Sequence, residues 1–298
     1  MCGIVGLYLK NNDLQDQLGK LFAPMLSQMG DRGPDSSGFA VYRGGNQGNK
    51  IILYSPNHNY DWSGFKHSLK NRFKENFSLS HIYTHAILET NIVSKIFREW
   101  ITVTFPELRV MSIGSTLEIY KEVGMPNEVM KHFNVSQMSG SHMIGHTRMA
   151  TESAVNTEGA HPYNTGDDLC LVHNGSLSNH NDLKRWLTKE KGIIFQTEND
   201  TEVAAGYLAY KMDEGCSLVE ALESSIKDLD GFYTFTVGTK SGFAVLRDPI
   251  ACKPAVMAET DDWVAMASEF RAISRLPNVE SAEVWEPKPG KIYSWGDK

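Results

Sequence analysis

The stretch that most narrows what this chain can become is its beginning, Met1-Cys2-Gly3-Ile4-Val5-Gly6. With Leu7, Tyr8 and Leu9 it makes a short apolar run, the pattern of a leading β-strand. A cysteine behind the initiator methionine is small enough for an aminopeptidase to clip Met1, which would leave a thiol and a free α-amine on Cys2. A thiol titrates near ~8.5 and an α-amine near ~7.7–8.0. Part of the amine is therefore unprotonated at neutral pH and can take the thiol proton, directly or through a water. The alternative is a small buried cysteine in that strand. Residue 2 alone does not separate the two.

Composition removes several classes of function. Net charge is −7 with Lys and Arg scattered, so there is no basic stripe for a phosphate backbone and nucleic acid is not expected as a partner. No apolar run approaches the ~18–20 residues that span a bilayer, and Lys10 ends the first one too early for a signal peptide. Cys2, Cys170, Cys216 and Cys252 are widely and irregularly spaced, the usage of reduced thiols in a cytoplasmic protein. The 298 residues suffice for one large domain or two smaller ones.

Along the chain, apolar residues from Leu14 to Met29 recur at three- and four-residue steps, an amphipathic helix. It runs into turn chemistry at Gly30-Asp31-Arg32-Gly33-Pro34-Asp35-Ser36-Ser37-Gly38. Strands over 39–43 and 50–54 read as a hairpin across the glycines of 44–48. Residues 57–138 differ in character, with strands at 81–88, 108–113 and 117–121 and helices at 93–103 and 126–133. That order is β-α-β-like, a subdomain inserted into a larger domain. His81, His85, His132, His142 and His146 raise a metal site, but there is no His-Glu-x-x-His and no Cys-x-x-Cys pair, and none is expected.

A strand through Ile144 ends in Arg148, a planar charged fork suited to a carboxylate or, equally, a surface arginine. The strand Leu169-Cys170-Leu171-Val172 runs into His173-Asn174-Gly175. Asn-Gly is most often a tight turn; it can also aim an amide and an unhindered backbone N–H at one point, as an oxyanion hole requires. Asp200 reads as a helix N-cap and Ser217 with Glu220 as a capping box. Period-two strands follow Asp230-Gly231 to the end of the chain.

In order, Cys2-Gly3-Ile4-Val5-Gly6, Arg32-Gly33-Pro34-Asp35-Ser36-Ser37-Gly38, Gly145-His146-Thr147-Arg148-Met149-Ala150-Thr151, His173-Asn174-Gly175 and Asn199-Asp200-Thr201-Glu202 resemble the class II glutamine amidotransferases. These are N-terminal-nucleophile (Ntn) hydrolases. Arg247-Asp248-Pro249 and Ser268-Glu269 are similar to later motifs of that family. The resemblance implies an α+β fold, a four-layer αββα Ntn-hydrolase sandwich. Its core would be 2–56 with 139–298, and 57–138 the insert. It implies Cys2 as nucleophile with its own amine as proton acceptor, and Asn174 with the Gly175 N–H as oxyanion hole. Arg148 would hold the substrate carboxylate with help from Thr151, Asp200 the ammonium, and Arg32 would order the loop beside the nucleophile. One arginine and one aspartate match the L-glutamine zwitterion without net charge. Met149 replaces an aromatic residue of many members, and Glu152-Ser153 a histidine or glycine-rich pair, so the resemblance implies the reaction but not the details of pocket closure.

The implied reaction is hydrolysis of L-glutamine to L-glutamate and ammonia. No dinucleotide fingerprint, P-loop or cluster-binding cysteine array accompanies it, so no cofactor is expected in this chain. The long form resembles the free-standing glutaminase-like subunits found with glutamate-synthase-like proteins, that of N-methylglutamate synthase among them. That resemblance implies partner subunits carrying FMN and an iron–sulfur cluster. The insert would serve for docking or for stability.

Overall fold

The computed structural model describes residues 2–44, 48–150 and 154–296. In chain order the elements are β1 (Gly3–Leu9), α1 (Leu18–Ser27), β2 (Ser36–Tyr42), β3 (Asn49–Tyr54), α2 (Trp62–Phe73), β4 (Phe77–Ile82), β5 (His85–Thr90) and α3 (Ser94–Thr104). There follow β6 (Arg109–Gly114), β7 (Leu117–Val123), α4 (Pro126–His132), β8 (His142–Arg148), β9 (Tyr163–Gly166), β10 (Leu169–Leu177), α5 (His180–Lys191), α6 (Asp200–Asp213) and α7 (Leu218–Asp228). The chain closes with β11 (Gly231–Gly238), β12 (Phe243–Arg247), β13 (Val256–Glu259), β14 (Trp263–Ala267), α8 (Phe270–Ile273), β15 (Glu283–Trp285) and β16 (Ile292–Trp295).

β1 is apolar throughout because it lies inside a seven-stranded sheet of order β15-β13-β14-β1-β8-β2-β7. A five-stranded sheet, β16-β12-β11-β10-β9, faces it, with β1 and β8 against β10 and β11. Helices α1, α4 and α8 cover the outer face of the first sheet, and α6 and α7 pack on the second with α5 beside α6. These are the four layers αββα. Helix α6 lies between its sheet and two other helices, so Val203, Ala204, Ala205, Tyr207 and Leu208 are all buried. Among the described residues no helix is long and apolar enough to cross a membrane.

A third sheet, β4-β5-β3-β6, stands apart with its own core around Phe65, Leu88 and Phe97. By strand pairing it draws on 49–114, whereas β7 pairs with β2 and α4 packs on it. The expected hairpin between 39–43 and 50–54 does not form. β2 stays in the large sheet between β7 and β8, and β3 leaves for the small one between β5 and β6. The strand expected at 81–88 is two, β4 and β5, folded back at Tyr83, which takes a left-handed φ of 54°.

Two buried polar joints hold the small sheet to the sandwich. Glu118 on β7 receives Arg43 on both oxygens, Lys50 at 2.8 Å and the Tyr120 hydroxyl at 2.7 Å. Asp168, between β9 and β10, accepts the N–H groups of Ser115, Thr116 and Leu117 at 2.8, 2.9 and 3.0 Å, and its fit leaves no space for a side chain on Gly114.

Candidate active site

Cys2 precedes β1 and is half-buried. Gly3 pairs with Thr147 of β8, and a Cβ at Gly3 would lie 2.7 Å from Met29 Cβ and 2.8 Å from Thr147 Oγ1. Only glycine fits beside the candidate nucleophile. Arg32 Nε donates to the Cys2 carbonyl at 3.0 Å and Nη1 to Glu269 Oε1 at 2.7 Å. Glu269 also receives Arg271 at 2.7 Å; the Arg32 hydrogen bond first, then the Arg271 charge, hold its carboxyl below the ordinary range against partial desolvation. Ser268 completes the clamp, its N–H donating to Ile4 O and its Oγ accepting from Ile4 N. Arg32 thus acts on the backbone of Cys2.

The ends of β8 and β2 meet at the same point. Asp35 N–H donates to Arg148 O at 3.1 Å, Asp35 Oδ2 accepts from Ala150 N at 2.7 Å, and Cys2 Sγ is 4.0 Å from Met149 O. Arg148 ends β8 with 5% exposure, and Nη1 donates to Ala154 O at 3.1 Å. The segment 154–162 that supplies this carbonyl is itself pinned by Lys121. Its ammonium donates to the carbonyls of Glu158, Ala160 and Pro162 at 3.1, 2.7 and 3.3 Å. Burial pushes Lys121 down to about 7. Thr151 lies outside the described residues.

On the facing sheet, Asn174-Gly175 does not turn. β10 continues to Leu177, with Asn174 opposite Thr234 and Gly175 opposite Tyr233 on β11. A Cβ at Gly175 would sit 2.0 Å from Phe232 O, so the glycine serves close strand approach. Asn174 is 2% exposed, yet its Nδ2 has no hydrogen-bond partner among the described residues. A buried donor left bare costs ~1–3 kcal/mol, so this Nδ2 is open to a ligand atom. His146 Nε2 donates to His173 O at 3.0 Å and so fastens β8 to β10 one residue before Asn174.

Asp200 opens α6 but does not cap it. The cap is Asn199, whose side chain accepts from Thr201 N at 2.9 Å. Asp200 Oδ2 instead accepts from Leu177 N at 2.9 Å, and the carboxylate is 22% exposed. Arg148 and Asp200 are linked behind the site. His146, two residues before Arg148, stacks on His161 at 3.9 Å; His161 reaches Thr201 at 2.7 Å; Thr201 reaches Asp200. Cys2, Arg32, Arg148, Asn174, Gly175 and Asp200 therefore gather at one end of the sandwich. Sequence reasoning missed His161, which no periodicity marks, and had Thr201, His173 and Glu269 only as parts of motifs. A cleft of ≈ 270 Å³ walled by Arg247, Cys252, Ser268, Glu269, Phe270 and Glu286 adjoins the Cys2 clamp through Glu269, but Arg148, Asn174 and Asp200 do not line it.

A thiol, a buried cation, a partly exposed anion and an unfilled amide donor are what hydrolysis of a zwitterionic amide requires. Residues 146–275 match the family model of a glutamine amidotransferase domain. The chain is 51% identical to the glutamine amidotransferase-like protein GlxB of Rhizobium meliloti (strain 1021), covering 99% of this chain and 98% of that protein. It is 36% identical to a putative glutamine amidotransferase of Methanothermobacter thermautotrophicus, over 98% of each. Among solved structures it is similar to the glutamine phosphoribosylpyrophosphate amidotransferase from B. subtilis, with TM-score 0.64 and 22% identity over 99% of this chain. The chain spans about half, 47%, of that longer protein, and the likeness is one of fold.

Proposed function

Because the chain belongs to the class II glutamine amidotransferases, we propose that it hydrolyses L-glutamine to L-glutamate and ammonia through a γ-glutamyl thioester on Cys2. The observation that carries the site assignment is the bare Nδ2 of Asn174, buried beside Gly175 at the end of the sandwich where Cys2 precedes β1. With Met1 removed, the Cys2 amine takes the thiol proton as sulfur attacks the side-chain carbonyl of glutamine. The carbonyl oxygen becomes an oxyanion received by Asn174 Nδ2 and Gly175 N–H; removal of one such donor typically costs ~2.7–4 kcal/mol. The tetrahedral species collapses, the C–N bond breaks, and the amine returns its proton to the departing nitrogen as ammonia. Water, deprotonated by the same amine, then attacks the thioester and frees glutamate and the thiol. Arg148 would hold the α-carboxylate and Asp200 the α-ammonium, with Thr151 assisting.

Cys2→Ala is expected to abolish glutamine hydrolysis while the melting temperature stays that of the wild type. Acid quench of the wild type during turnover is expected to leave a γ-glutamyl adduct on the N-terminal peptide. Undiminished turnover in Cys2→Ala, or a purified active protein that retains Met1, would refute the assignment.

The ammonia would pass to a second polypeptide. By the resemblance of the long form, that partner is a glutamate-synthase-like set of subunits with FMN and an iron–sulfur cluster, as in N-methylglutamate synthase. Native capture of the tagged chain from its own cells should bring down a yellow-brown partner with flavin and iron in fixed ratio. Capture of the chain alone, with full glutaminase activity, would count against it.

A further inference from the structure

The carboxylate of Asp200 is held from behind by the side chain of the next residue. Thr201 is 0% exposed, and its Oγ1 has His161 Nε2 at 2.7 Å, His173 Nδ1 at 2.9 Å and Asp200 Oδ1 at 3.4 Å. An ionised carboxylate only accepts, and a hydroxyl has one proton to give. One arrangement leaves no lone pair facing another: both imidazoles donate N–H to Oγ1, and Oγ1 donates to Asp200. The same arrangement accounts for the opposite ring nitrogens. His161 Nδ1 and His173 Nε2 are buried and have no partner among the described residues, which suits lone pairs better than protons. Burial lowers both imidazoles, so they stay neutral with one proton each to place.

We propose that Thr201 is a positioning residue for recognition of the substrate α-ammonium. Its hydroxyl, saturated by His161 and His173, holds Asp200 Oδ1 while the Leu177 N–H holds Oδ2 at 2.9 Å. A carboxylate fixed at both oxygens presents one orientation to the ligand and loses no rotamer freedom when the ligand arrives. His161 belongs to segment 154–162, which also supplies Ala154 O to Arg148. One segment therefore braces the groups for both ends of the zwitterion. The inference rests on Asp200 being the ammonium partner.

The test compares kcat/KM for L-glutamine and for glutaramate, the same amide without the α-ammonium, in the wild type, Thr201→Val, Thr201→Ser and Asp200→Asn. Thr201→Val is expected to shrink the preference for glutamine by about tenfold, a 1.4 kcal/mol effect, through KM alone. Turnover of glutaramate should be unaltered in Thr201→Val, and Thr201→Ser should restore the preference. Asp200→Asn should remove the preference outright. If Asp200→Asn loses the preference and Thr201→Val keeps it, the Thr201 inference falls and the Asp200 reading stands. If Asp200→Asn keeps it, the Asp200 reading falls and takes the inference with it. Equal losses on both substrates in Thr201→Val, without rescue by serine, would mark a merely structural residue. Should Thr201→Val not fold, Thr201→Ala gives the same readout, since its smaller side chain admits a water to serve the two imidazoles.

Discussion

Arg148 is buried to 5% exposure at the end of β8 with a backbone carbonyl at 3.1 Å on one guanidinium nitrogen. Burying a cation is costly unless counter-charges or acceptors accompany it. A substrate carboxylate arriving there would add a counter-charge, and an interaction made equally in ground and transition states moves KM with little change in kcat. Arg148→Ala is therefore expected to raise KM for glutamine at least about tenfold with kcat held within about threefold. Arg148→Lys should recover only part, because an ammonium lacks the planar fork that meets a carboxylate at two points. Steady-state kinetics decides; a KM within about twofold of wild type would remove Arg148 from the site. Of the residues around it, Cys2, Arg148 and Asp200 could be given roles from sequence, but only through the family resemblance. Thr201 could not: a threonine one residue into a helix looks like any other, and its partners His161 and His173 are 40 and 28 residues away along the chain. Asp200 also has the local pattern of the cap of α6. Asn199 and Asp200 are both good capping residues, and the choice between them is made by Leu177 N, which claims the aspartate from another strand.

Helices with clear signals were legible: α1, α3 and α7 lie where the sequence puts them, α4 starts at Pro126, and Ser217 and Glu220 make the capping box expected of them. α2 was not legible, because only Trp62, Phe65 and Leu69 face inward among many polar neighbours. Its start rests on Asp61, which accepts from Ser63 N and Gly64 N. Strand positions were readable and strand partners were not. β2 and β3 are adjacent in sequence and both apolar, so a hairpin is the local expectation. Pairing is a long-range choice, and here buried charges mark where the two sheets join. Glu118 on β7 accepts Arg43, just past β2, and Lys50 from β3, so one buried carboxylate joins the large sheet to the small one. Of the two readings left open at Asn174-Gly175, the turn fails for the same reason. A pair with strong turn chemistry stays extended when an unbroken partner strand offers it ladder bonds and leaves no room for a Cβ.

The protein as a whole carries buried imidazoles that it keeps uncharged. Burial pushes His85, His142 and His146 down to about 3, His161 well below its usual value, and His173 lower as well against the opposing pull of Asp200. In the unfolded chain each would titrate near ~6.5. Above that pH both states hold the imidazoles neutral, and they take nothing from stability. As pH falls below it, the unfolded chain takes up protons that the folded chain refuses, and stability drops by up to ~1.4 kcal/mol per pH unit for each imidazole, down toward the folded values. The three that reach about 3 would together remove roughly 6 kcal/mol by about pH 5, a large part of a domain's stability, and His161 and His173 act in the same direction. Carboxylates with lowered values, Glu118 and Asp168 among them, act in the same direction but begin only near ~4, where unfolded carboxylates protonate. Urea midpoints measured from about pH 8 downward should accordingly fall gently to about 6.5, where the unfolded chain keeps the Lys121 proton that the folded chain has largely released, and then fall steeply as the imidazoles titrate in the unfolded chain. His85 offers the control, since it lies in an aromatic cage of Tyr54, Tyr120 and Phe133 and its Nε2 has no partner among the described residues. His85→Leu should lessen the slope by about one proton whatever it does to stability at about pH 8. A profile flat from about pH 7 to about 5 would mean that these imidazoles gain water and protons in the folded state.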